Sequence, residues 1–192
     1  GIPLLPNLDV AFHGPYVSID LDHNDRIFNP RNGWSARASY FDPVGKGYSK
    51  LLADATGAKQ FGNDWVVQAR ASYQGSPVGS LPIYDTATLG GFLNLSAFAP
   101  KQLTGDDATY AGLRVERVLG DLPLGLRGDM RLGLSLEAGR MGTLYTETHR
   151  TGWQNSVGLY LGGETPIGPV FIGYAYSPSS GYSNAYLLVG VP

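Results

Sequence analysis

Residues 126–139 read LRGDMRLGLSLEAG. Leu126, Gly128, Met130, Leu132, Leu134, Leu136 and Ala138 alternate with Arg127, Asp129, Arg131, Gly133, Ser135, Glu137 and Gly139. An extended chain therefore sets one apolar face against another that carries four charges, whereas a helix would mix both classes on every side. The same period of two returns on either side. Val17, Ile19 and Leu21 oppose Ser18, Asp20 and Asp22, and Trp34, Ala36, Ala38 and Tyr40 oppose Ser35, Arg37 and Ser39. Two strands follow near 47–57 and 63–74, the first weakened by Leu52 on its polar face, the second setting Trp65, Val67, Ala69, Ala71 and Tyr73 against Gln68, Arg70, Ser72 and Gln74. Further on, Ala111, Leu113 and Val115 oppose Gly112, Arg114 and Glu116, and Val157, Leu159 and Leu161 oppose Ser156, Tyr160 and Glu164. Strands at 169–177 and 184–191 complete a set of nine, and residues 7–13 offer a short tenth behind Pro6.

The chain has 192 residues, enough for a single domain over 1–192. Its 27 glycines and 13 prolines suit a turn-rich β protein, while 43% hydrophobic and 11% aromatic residues exclude a disordered one. Charged residues are only 16%, against roughly 25% in an ordinary soluble domain. No apolar run is long enough for a membrane-spanning helix, which needs about 18 residues. A membrane barrel keeps near-neutral mean hydropathy by alternating lipid-facing and lumen-facing positions, in segments of about 9 to 11 residues. A net charge of −2 without a basic cluster argues against nucleic acid as a partner. The lack of cysteine excludes disulfides and thiolate chemistry. The opening Gly1-Ile2-Pro3 has neither an initiator Met nor a signal peptide, as expected of a piece of a longer protein.

Two architectures accommodate the alternation: a soluble antiparallel sandwich with its apolar face inward, and a transmembrane barrel with that face outward. Aromatic placement favours the barrel. Trp34 and Tyr40 stand at opposite ends of one apolar face, as do Trp65 and Tyr73 on another, the arrangement of two interfacial girdles. The expected fold is all-β, an antiparallel transmembrane β-barrel with nine to ten strands in this chain. Residues 75–106 break the pattern, and a stretch that long is expected to be a loop folded against something.

A search for catalytic chemistry returns little. His13, His23 and His149 are scattered, no G-x-S-x-G elbow occurs, and Asp20, Asp22, Asn24 and Asp25 lack the glycine and bidentate glutamate of a calcium loop. No catalytic residue, metal or cofactor is expected. Arg37, Arg70, Arg114, Arg127, Arg131, Glu116, Asp129 and Glu137 all fall on the polar face. The simplest expectation is an ion-pair network, with pore selectivity as the alternative.

Three stretches resemble the bacterial surface antigen superfamily of outer-membrane barrels, and within it the C-terminal barrel of patatin-like type Vd autotransporters. They are DHNDRIFNPRNG at 22–33, GGFLNLSAF at 90–98, and GLSLEAG at 133–139 with GGETPIGPVFIGY at 162–174. The resemblance implies the C-terminal part of a larger, sixteen-stranded barrel in the outer membrane of a Gram-negative cell. Its role would be to anchor a patatin-like phospholipase passenger, N-terminal and in cis, and to export or display it by type V secretion. Membrane lipid, lipopolysaccharide and a homodimer that shares strands are the other implied partners. The resemblance also implies a loop that enters the lumen, starting at Gly90 and Gly91. In the family the loop tip reads Val/Leu-Arg-Gly-Phe/Tyr and its arginine pairs with a lumen acid. Here the tip is Leu95, Ser96, Ala97 and Phe98, without the arginine, and Glu137 stands at the acid position. Arg114, Arg127 or Arg131 is expected to neutralise Glu137, and Ser96 or Asn94 to supply, in place of the arginine, a neutral hydrogen bond to Glu137 or a neighbour. A self-contained porin or adhesion barrel is the alternative function, and a barrel-embedded lipid hydrolase a third.

Overall fold

The computed structural model describes residues 13–26, 30–121, 129–146, 152–165 and 168–190. Among them the fold is all-β, without a helix. Nine strands form one antiparallel sheet: β1 (Tyr16–Asp22), β2 (Gly33–Phe41), β3 (Lys50–Phe61), β4 (Trp65–Gly75), β7 (Ala108–Asp121), β8 (Asp129–Met141), β9 (Gly152–Thr165), β10 (Gly168–Tyr176) and β11 (Ser183–Val189). They lie side by side in chain order. Between β4 and β7 the short strands β5 (Ala87–Leu89) and β6 (Leu103–Gly105) pair with each other. The loop expected at 75–106 does fold against the sheet, and it carries this short hairpin of its own.

Most strands start and stop where the alternation does, and the differences have local causes. The strand expected from residue 47 begins at Lys50, because Tyr48 and Ser49 are turned into the loop. There the Tyr48 hydroxyl donates to Asp85 (2.9 Å) and the Ser49 amide to the Val78 carbonyl (3.0 Å). Residues 126–128, and all but the last of the candidate strand at 7–13, lie outside the described residues.

Register carries the alternation from strand to strand. Leu113 pairs with Leu136, Leu136 with Val157 and Val157 with Tyr176; beside them Leu134 pairs with Leu159 and Leu159 with Tyr174. One continuous face is thus apolar, and it is the exposed one: Leu134, Leu159, Ile172 and Leu187 are 45%, 56%, 58% and 72% exposed. We call it the outward face. The carboxylates of the sheet and the arginines that pair with them occupy the inner face, and segment 76–107 folds against it. The apolar core lies there, between loop residues such as Leu81, Leu89, Leu95 and Phe98 and the inner face at Tyr110 and Tyr186. A sandwich with its apolar alternation turned inward is not what the chain forms.

The two ends of the sheet differ. At the hairpin end β3 meets β4 through residues 62–64, and outward Trp34, Phe61 and Trp65 are exposed. At the loop end segment 76–107 leaves β4, and outward Trp153 and Tyr176 are exposed. The nine strands do not close on themselves: β1 and β11 are the two edges, and all seven residues of β1 are exposed.

Large rings fit on the inner face because small residues lie beneath them. Gly133 of β8 pairs with Tyr160 of β9, whose ring lies across it, and a Cβ at 133 would stand 2.2 Å from the ring's Cζ. The ring is not free to swing away, since the Tyr160 hydroxyl donates to buried Glu116 (2.7 Å). Gly133→Ala is expected to cost about 1–3 kcal/mol through this overpacking, read as a lower denaturant midpoint, whereas Gly57→Ala on the outward face of β3 meets no atom within 4 Å.

Candidate functional site

The inner face holds two polar clusters, one under the loop and one nearer the hairpin end. The loop cluster is built from the tip outward. Gly90 has φ of 118°, a conformation L side chains rarely adopt, and a Cβ there would lie 2.1 Å from the Ala99 carbonyl oxygen. With Gly91 it turns the chain into a compact tip closed by the bonds Gly90 N–H to Asn94 O (2.8 Å) and Gly91 N–H to Phe98 O (2.9 Å). Leu93 and Leu95 also have positive φ, at 55° and 76°. Such strain costs on the order of 1–3 kcal/mol per residue and persists only where the surroundings hold it.

What it achieves is a row of amides aimed at the sheet. The N–H groups of Leu95 and Ser96 donate to Oε1 and Oε2 of Glu137 (3.2 and 2.9 Å), and that of Ala97 donates to Ser156 Oγ (2.9 Å). Tyr110 adds its hydroxyl to Glu137 Oε1 at 2.7 Å. A buried carboxylate thus sits in a concavity of backbone donors, a recognised way to bind an anion without a cation.

The rest of the tip is held from all sides. The Tyr186 hydroxyl meets the carbonyl oxygens of Ser96 and Phe98, the latter at 3.1 Å. Arg70 donates to the Leu93 carbonyl (3.1 Å), and the Gln74 side chain exchanges two bonds with the Thr88 backbone (3.1 and 3.2 Å). Phe92 fits among Tyr160, Phe171 and Tyr186, with ring centroids 5.1–5.5 Å away. At the loop's root Asp85 joins Tyr48 and Lys50. Burial and then the hydrogen bond to Asp85 push the Tyr48 phenol above its ordinary range.

The second cluster centres on Glu116 and Arg131, whose side chains are 1% and 2% exposed. Arg131 donates to Glu116 Oε2 at 2.9 Å, Gln68 Nε2 approaches the same oxygen at 3.2 Å, and Tyr160 takes Oε1. Arg114 stands 3.8 Å from Glu116. Toward the hairpin end Asp129 receives Arg31 (2.5 Å) and Arg26 (2.9 Å). Asp20–Arg37 pairs in the open at 2.7 Å, beyond the loop, and Asp54–Arg70, also at 2.7 Å, stands at the loop's edge, where Arg70 meets Leu93; ion pairs this exposed are worth at most about 1 kcal/mol.

Gly90, Gly91, Leu95, Ser96, Ala97 and Phe98 thus come together over Glu137, which receives a neutral hydrogen bond from Ser96 but not the arginine expected to neutralise it. Arg114 and Arg131 belong to Glu116, not Glu137, and Arg127 lies outside the described residues. Among the described residues no cation lies within ion-pair distance of Glu137. Ser96 serves it through its amide, while its hydroxyl accepts from the Leu93 amide (2.9 Å), and the Asn94 side chain turns back to Gly90 O (3.4 Å). Tyr110, Ser156 and Tyr186 were not expected as partners. Position parity puts Tyr110, Ser156 and Tyr186 on the inner face, but parity does not say which loop atoms they meet. Of the histidines, His23 stacks on Trp34 at 4.6 Å, His13 is exposed and His149 lies outside the described residues. No group of three or more potential metal ligands occurs among the described residues. Compared with protein-family models and with curated proteins, the chain matches none.

Two substitutions test the seat. Glu137→Gln removes one acceptor oxygen and faces a buried amide with a donor, at a cost of about 1–3 kcal/mol for the unsatisfied group; faster cleavage within 76–107 in limited proteolysis is the expected outcome. Ser96→Arg, which puts at the tip the arginine that the resemblance would have there, is expected to loosen the loop, because Ser96 is 2% exposed and its hydroxyl accepts from the Leu93 amide within the tip.

Proposed function

We propose that the chain is the C-terminal part of an outer-membrane β-barrel that anchors, and helps to export or display, an N-terminal passenger. The observation that carries this reading is the outward face. It is apolar, exposed and continuous over nine strands, while carboxylates lie on the opposite side under a docked loop. In water such a surface is an aggregation liability, and in a bilayer it is the required exterior. Aromatic residues at both ends of the outward face fit the two membrane interfaces, and the long segment at the loop end fits the extracellular side.

Strand parity bears on what completes the barrel. β1 and β11 run in the same direction, because seven strands, each antiparallel to the next, lie between the two edges. Direct closure would make a parallel seam, so the gap is suited to an odd number of further strands, and seven would give the sixteen implied by the resemblance. A second copy inserted in the same orientation would again bring β1 parallel to β11. Strands of the same parental protein therefore fit the edges better than a strand-sharing dimer, since an open edge is not tolerated in hydrocarbon. The loop fills much of the inner face, which favours a gated translocator over a self-contained open porin. By the resemblance, the passenger is a patatin-like phospholipase.

In a bilayer Leu134→Arg is expected to cost about 2–4 kcal/mol, and Ser39→Arg on the open part of the inner face much less. Spin labels at 132 and 134 are expected to be reached by oxygen dissolved in lipid and not by a water-soluble relaxer. The export role is tested in the full-length parent: an epitope in the passenger is expected to bind antibody on intact cells, and one that stays inside overturns that role.

A further inference from the structure

Cations are treated differently on the two faces. On the inner face Arg37, Arg70, Arg114 and Arg131 each lie within ion-pair distance of a carboxylate. On the outward face, among the described strands, register places Lys59, Arg117 and Arg140 and no acidic residue. None of these three has a carboxylate within ion-pair distance among the described residues. Two of them share one place. Lys59 of β3 pairs with Val67 of β4, which pairs with Val115 of β7, while Trp65 of β4 pairs with Arg117 of β7. Lys59 and Arg117 therefore flank β4 near the hairpin end, two strands apart across the sheet and two residues apart along it, roughly 12 Å at the usual spacings, a gap that two long side chains can narrow. The Arg117 guanidinium stands over the Trp65 ring, 5.8 Å from its centroid, with exposed Phe61 beside it.

Toward mid-strand the same columns lose their bulk. Gly57 pairs with Ala69, and beyond them Ala55, Ala71 and Ala111 floor an open apolar groove of about 660 Å³ between Leu21 and Tyr73. Ala55 is four residues from Lys59, about 14 Å along a strand, a span that suits an acyl chain descending from a headgroup held above it. Long basic side chains on an apolar face put their charge where the apolar medium ends, and an aromatic ring at that level marks the same boundary.

We propose that this is a binding site for one anionic phospholipid. Its phosphodiester lies between Lys59 Nζ and the Arg117 guanidinium, its glycerol lies at the level of Trp65, and one acyl chain runs down the alanine-floored groove. The site rests on the reading of the outward face as lipid-facing, and it adds to that reading a headgroup charge and a place. Cations with no protein counter-charge are complementary to an anionic headgroup and gain nothing from a neutral one.

The test uses the full-length parental protein in neutral detergent micelles, with phosphatidylglycerol or phosphatidylcholine added and bound lipid counted by native mass spectrometry. The expected result is preferential retention of one phosphatidylglycerol. Each basic residue near an anionic surface strengthens attraction about fivefold, so K59Q/R117Q is expected to lose the preference by roughly 25-fold, and each single variant by about fivefold. R140Q removes a charge at the other end and is expected to change nothing. An unchanged preference in K59Q/R117Q, or an equal loss in R140Q, overturns the site. A parallel measurement separates the two readings. If phosphatidylcholine brominated near the headgroup quenches the exposed tryptophans in every variant, the lipid-facing surface stands whatever becomes of the site. If it quenches in none, both fall together.

Discussion

Three successive backbone amides, those of Leu95, Ser96 and Ala97, hold the inner half of this molecule together by donating to Glu137 and Ser156. The sheet's polar face is expensive to cover, because every carboxylate taken from water must find donors. Glu137 finds them in a loop tip bent through Leu93 and Leu95 at positive φ, and the strain in that bend is offset by the bonds it creates. Remove the acceptor and the tip has no reason to keep its shape. The core around Leu89, Leu95 and Phe98 would then lose the surface against which it packs.

The two polar clusters solve the same problem by different means. Glu116 is met by Arg131, Gln68 and Tyr160, so that side chains of one sheet satisfy one another. Glu137 is met largely from outside the sheet. The first arrangement makes the wall self-sufficient near the hairpin end. The second makes it depend on the loop, and this division localises any conformational change to the loop end.

Much of this was legible in the residues. The alternation at 126–139 and its echoes assign nearly every strand residue to a face, because an extended chain cannot do otherwise, and the long interruption after Gly75 announces a loop with something to cover. The partner of Glu137 was not legible. A reading by side chains looks for an arginine and nominates Arg114 or Arg131, since backbone donors are present at every position and leave no mark in the sequence. Nor does leucine advertise a left-handed conformation, so the bend at Leu93 and Leu95 is visible only in three dimensions. Tyr48 and Ser49 show a related limit: their pattern continues a strand, but hydrogen bonds to Asp85 and Val78 turn them out of it.

The rings lying across glycines on the inner face bear on how such a sheet can change over generations. Tyr160 over Gly133 and Phe171 over Gly162 are cross-strand pairs in which one partner fills the space the other leaves. A lineage can shorten the ring first and enlarge the glycine afterwards, passing through an underfilled but foldable intermediate. The reverse order passes through a collision. Substitutions at these paired positions are therefore ordered in time, and a glycine far from any functional contact stays fixed until its neighbour across the ladder has given way.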